Sequence, residues 1–66
     1  MDNLIEKLNE ELDILKGDSS RLSVYIEDSI QAEDYEEAGS FGKMLNKTCK
    51  QIAELEAKIK SLKNIG

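Results

Sequence analysis

Apolar side chains recur along this chain at alternating steps of three and four. In the first half the track runs Ile5, Leu8, Leu12, Leu15, Ser19, Leu22, Ile26 and Ser29; in the second it runs Ala38, Phe41, Leu45, Thr48, Ile52, Leu55, Ile59 and Leu62. Such spacing is the a/d seam of a heptad repeat, which specifies coiled-coil packing. The two tracks are mirror images, because facing members always add to 67, from 5 with 62 at one end to 29 with 38 at the other. A partner in that register is the same chain running backwards. The pattern therefore predicts a single all-α domain over residues 1–66, an antiparallel two-helix coiled-coil hairpin.

The helices are predicted at about residues 3–31 and 35–63, joined by the short connection Ala32–Asp34. Proline is absent, and Leu, Glu, Lys, Ala and Gln favour helix in both halves. Each helix is then about 45 Å long. Asp2 or Asn3 would cap the first, and Gly66 would lie beyond the second. Asp34-Tyr35-Glu36-Glu37 reads as an N-cap with an acid at the third helical position, a capping-box arrangement. One unbroken 66-residue helix is the competing fold. Gly17, followed by Asp18, Ser19 and Ser20, is the weakest helical stretch of the first half, the place where a kink, fraying or an extra break would fall. Gly39 and Gly42 mark either a close approach to the backbone or tolerated surface glycine.

Charge supports the hairpin. The net is −5, yet residues 1–37 carry −9 and residues 38–66 carry +4. Opposite signs favour pairing one arm with the other, so the acidic arm is expected to zip along the basic one. In this register the g positions face as Leu4 with Ile65, Glu11 with Lys58, Asp18 with Gln51, and Tyr25 with Met44. The e positions face as Asn9 with Glu56, Lys16 with Cys49, Ser23 with Gly42, and Ile30 with Tyr35.

The seam is not uniform. Ser19 faces Thr48 in a polar central layer, and Ser29 faces Ala38 next to the turn. A polar layer usually fixes register and association state, and its hydroxyls can bond to the carbonyl four residues back. The sharper reading is a small cavity at the waist. Outside the seam, Tyr25, Met44, Ile30, Tyr35, Leu4 and Ile65 widen the apolar stripe beyond what one partner helix covers. Two such hairpins are therefore expected to form a four-helix bundle or a higher homo-oligomer. The candidate contacts are Tyr25, Ile30, Tyr35, Gly42, Met44 and Cys49.

Several functions are disfavoured. No apolar run is long enough to span a membrane, and the acidic start is unlike a signal peptide. A single cysteine, Cys49, allows no internal disulfide and suits a reducing, cytoplasmic setting, most simply as a partly buried small hydrophobe. Lys43, Lys47, Lys50, Lys58, Lys60 and Lys63 could form a basic stripe, but overall acidity argues against nucleic acid as a partner. Without histidine there is no Cys-His nucleophile and no zinc-ligand cluster, and no phosphate-binding loop occurs. The reading is no enzyme, no metal and no cofactor.

The stretch Ala32-Glu33-Asp34-Tyr35-Glu36-Glu37-Ala38, followed by Phe41, Leu45 and Ile52, resembles the UVR motif, within residues 30–55. In that family the motif is a short helical hairpin of nucleotide-excision-repair subunits and some protease regulators. The resemblance implies a protein-contact module with Tyr35, Glu36 and Ala38 near the turn. The chain departs from the family at Gly42 and Lys43, where an Arg-Asp pair is usual. Two functions follow as expectations. The favoured one is a non-enzymatic homo-oligomeric module that contacts another protein as adaptor, regulator or inhibitor. The alternative is an oligomer that sequesters a small anionic or nucleotide-like ligand between hairpins, through Tyr25 or Tyr35 and the lysines of the second half.

Overall fold

A computed structural model describes the backbone of residues 2–65 and the side chains of residues 3–64. It contains two helices, α1 (Asp2–Gln31) and α2 (Tyr35–Ile65), packed against each other as a rod of 50 × 14 × 11 Å. The fold is the all-α hairpin, not one continuous helix. The expectations for capping by Asp2, for Ile65 facing Leu4 and for Gly66 fall on side chains or residues outside those described. Asn3 lies inside α1 rather than capping it.

All sixteen seam positions are buried or half-buried, and among the other described residues only Gly17, Asp18 and Gly42 are not exposed. The predicted stripe is thus the observed interface. Its packing is uneven, however. Leu8, Leu12 and Ile59 are buried to 6–8% exposure and form a cluster with Ile5, Ile52, Leu55 and Leu62, all far from the turn. Toward the turn Leu22, Ile26, Phe41 and Leu45 stay half-exposed, and only Ser29 is buried.

Helix α1 runs through residues 17–20 without a break, so this stretch opens no third helix. One glycine costs about 1 kcal/mol, too little to interrupt 30 residues of helix held against a partner. The stretch is also stitched locally. Arg21 forms an ion pair with Asp18 one turn back, and Ser23 Oγ donates to the Ser19 carbonyl at 3.1 Å. That back-bond was expected of Ser19 or Thr48 in the seam; the flanking Ser23 makes it.

The turn is closed by backbone groups. Glu33 N–H donates to the Ile30 carbonyl at 3.0 Å and Asp34 N–H to the Ser29 carbonyl at 2.8 Å, while Glu33 takes a left-handed φ of 61°. These are the two bonds of a Schellman cap. Asp34 then starts α2, its Oδ1 accepting from Glu37 N–H at 3.1 Å and its carbonyl from Ala38 N–H at 3.1 Å. The predicted N-cap is present, but the reciprocal half of the capping box is not made. The Asp34 N–H that Glu37 would have accepted is already committed to Ser29.

Candidate interaction surface

The g-type flank of the hairpin is built around Tyr25. On α1 it sits one residue before the seam residue Ile26, and its ring lies against Phe41 of α2 with centroids 5.4 Å apart and planes at 37°. The ring remains 46% exposed, with Met44 beside it at 55%. Open grooves lie on either side. Toward the turn, Tyr25, Asp28, Ser29, Ala32, Glu37 and Phe41 line a groove of about 380 Å³. Toward the waist, Asp18, Arg21, Leu22, Tyr25, Met44 and Thr48 line another of about 310 Å³. Space beside the polar layer therefore opens outward at Thr48 as a surface groove. Ser19 is half-buried.

On the e-type flank Ile30 and Tyr35 are exposed together near the turn, Tyr35 to 65%. Gly42 is half-buried, and an added Cβ there or at Gly39 would meet nothing within 4 Å. No part of the hairpin approaches these glycines closely. Cys49 is a free, exposed thiol, not the partly buried hydrophobe that was expected, because nothing in the two-helix rod covers this e position. The candidate contacts thus divide into Tyr25 and Met44 on one flank and Ile30, Tyr35, Gly42 and Cys49 on the other.

The electrostatics differ from the expected zipper. Among the described residues the single ion pair is Arg21–Asp18, within α1, and none bridges the helices. Glu11 and Lys58 line a common groove but do not form an ion pair. The seam holds the arms together, and charge is distributed in bands along the rod. Residues 27–37, which form the turn end, carry six acids (Glu27, Asp28, Glu33, Asp34, Glu36, Glu37) and no base. Folding then brings Lys16 and Arg21 level with Lys43, Lys47 and Lys50, opposed by Asp18 alone, to make a basic waist. At the far end, residues 2–15 and 52–65 hold seven acids and four lysines. Within the acidic tip a hydrogen bond with the Asp34 carboxyl, together with its negative charge, raises the Glu37 carboxyl above its usual 4.5.

Among the described residues no group of three or more His, Cys, Asp or Glu could hold a metal ion, and no helix is long and apolar enough to cross a membrane. Sequence reasoning found Tyr25 and Met44 through their g positions but missed Arg21, Asp28 and Glu37, the charged ends of the grooves. The signal was present. Arg21 and Asp28 share the c position and lie one turn to either side of Tyr25. No family model, curated protein or solved structure matches the chain, so the functional reading rests on its own residues.

Proposed function

We propose that this hairpin is a non-enzymatic protein–protein interaction module that acts as a small homo-oligomer, in the manner of an adaptor, regulator or inhibitor. The observation that carries the reading is the exposure of Leu4, Ile14, Val24, Tyr25, Ile30, Tyr35 and Met44 around a core only one stripe wide. Four of these, Tyr25, Ile30, Tyr35 and Met44, flank the turn half, where the seam is itself half-exposed. Tyr25 and Met44 share a groove on one flank; adjoining apolar side chains left in water favour a contact site, which a second helical layer would cover as in a four-helix bundle. The UVR-like stretch at the turn agrees, since that motif is a contact hairpin in its family.

Self-association is the testable core of the proposal. Sedimentation at micromolar concentration should show a dimer or larger species, and Tyr25→Ala should weaken association while leaving helicity in circular dichroism almost unchanged. A clean monomer across that range would overturn the reading. Thermal-shift curves against a panel of nucleotides should be flat; a rise of several degrees with one of them would move the assignment to ligand sequestration.

A further inference from the structure

We infer that two copies pair as a staggered antiparallel dimer through the Tyr25 flank, with the acidic tip of each hairpin lying on the basic waist of the other. The inference rests on the self-association proposed above and specifies its geometry.

Three observations converge on it. The first is the character of the flank itself. Tyr25 and Met44, 46% and 55% exposed, stand over open grooves floored by the half-buried Leu22 and Phe41, whereas the groove on the same flank at the far end is rimmed by Glu11, Glu54 and Lys58. The apolar side chains that a partner on this flank would cover thus lie between the waist and the turn.

The second is the charge order along the rod. A parallel dimer would set six acids of one tip against six of the other. A fully overlapped antiparallel dimer would lay each acidic tip on a far end that is itself acidic, with seven acids to four lysines. Only a stagger that stops each tip at the waist places opposite charge in contact, and charge complementarity fixes register in this way.

The third is the symmetry of the flank about Tyr25. In the mirror register Tyr25 is level with residue 42 of α2. On α1, Arg21 and Asp28 lie four and three residues to either side of Tyr25; on α2, Lys47 and Glu37 lie five residues to either side of Gly42. A twofold axis in the contact plane, perpendicular to the rod at this level, lays α1 on α1 of the second copy and α2 on its α2. Asp28 then meets Arg21 of the second copy, Glu37 meets its Lys47, and Tyr25 meets its Tyr25. The contact is isologous, as a closed dimer requires. Each hairpin overlaps the other over about 27 Å, counted from the turn to the waist at 1.5 Å per residue. Arg21 already holds Asp18 through one nitrogen, and its guanidinium has further donors for a second carboxylate.

The test is a charge exchange between Asp28→Arg and Arg21→Asp. In either homodimer both symmetry-related contacts become like-charged, so each variant alone should dimerise roughly tenfold or more weakly than the native chain. Mixed in equal amounts, the two variants restore both contacts, and a heterodimer of near-native affinity should form; the doubly substituted chain should recover likewise. Circular dichroism checks the folding of each, and if one loses helix the Glu37→Lys and Lys47→Glu pair reads the same geometry. If the native chain dimerises but the mixture associates no better than its components, the arrangement is wrong and self-association uses another face. If the native chain is monomeric, the functional proposal falls with it.

Discussion

The backbone N–H of Asp34 donates to the Ser29 carbonyl across 2.8 Å, so the residue that starts the second helix also closes the first. Its three polar groups are all engaged: the N–H by Ser29, Oδ1 by the Glu37 N–H and the carbonyl by the Ala38 N–H. Removing the carboxylate leaves both backbone bonds in place but strips the cap from α2. Asp34→Ala is expected to lower stability by about 1 kcal/mol, and Asp34→Asn to change it by no more than a few tenths. Urea denaturation at fixed protein concentration measures both.

Glu33 sits next to that junction with a φ of 61°. A side chain there crowds the following carbonyl at a cost of about 1–2 kcal/mol, which glycine escapes. Glu33→Gly should therefore stabilise the hairpin, raising its melting temperature by about 4–8 °C per kcal/mol gained. The change also removes an acid from the crowded tip. Glu33→Gln separates the two effects, since it removes the charge and keeps the strain, and it should recover only a minor part of the gain.

Gly17 is a second site where the native residue is the weaker choice. A Cβ built on it meets nothing within 4 Å, and α1 is regular through it. Gly17→Ala should add about 1 kcal/mol of stability with no change in fold. A loss of stability in thermal denaturation would mean that the backbone at this position is covered in solution.

These sites show where the sequence was legible and where it was not. The seam, the helix limits near Gln31 and Tyr35 and the Asp34 cap depend on spacing within a few residues, so they can be read from the chain. Three other features need the folded arms. The basic waist gathers Lys16 and Arg21 with Lys43, Lys47 and Lys50 from separate helices, whereas counting charge by halves suggested a zipper that no interhelical ion pair supports. The gathering of the most buried seam residues, Leu8, Leu12 and Ile59, at the far end is hidden because leucine and isoleucine occur in both halves of the seam. Glu33 carries neither the glycine nor the asparagine that usually announces a left-handed cap.

Acidity at the tip has a pH signature. The Glu37 carboxyl is raised above 4.5 by its hydrogen bond with the Asp34 carboxyl first and by the Asp34 charge second. Between the unfolded value and the raised folded one, the folded chain binds more protons than the unfolded chain. This group's contribution is therefore present at low pH and is lost as pH rises through that window. Because the side chain is exposed, the effect is small and salt-screened. Melting temperatures of the native chain minus those of Glu37→Gln, taken from acidic to neutral pH at low salt, should fall across the window; a flat difference would contradict the coupling.

The uneven core separates what the hairpin does alone from what it does in company. Leu12 is buried at the far end, while Leu22, a seam leucine of the turn half, is half-buried and lines the groove beside Tyr25. Truncating a buried leucine costs both its transfer free energy and the cavity left behind, so Leu12→Ala should lose about 2–4 kcal/mol. Leu22→Ala should lose less, about 1–2 kcal/mol, in dilute protein, where water already reaches the site. Raising the concentration until the native chain associates would cover Leu22 but leave the Leu12 layer unchanged. The Leu22→Ala deficit should then grow while the Leu12→Ala deficit stays constant, as measured by urea denaturation at two concentrations. Equal deficits for Leu22→Ala at both would mean that nothing comes to cover the Tyr25 flank.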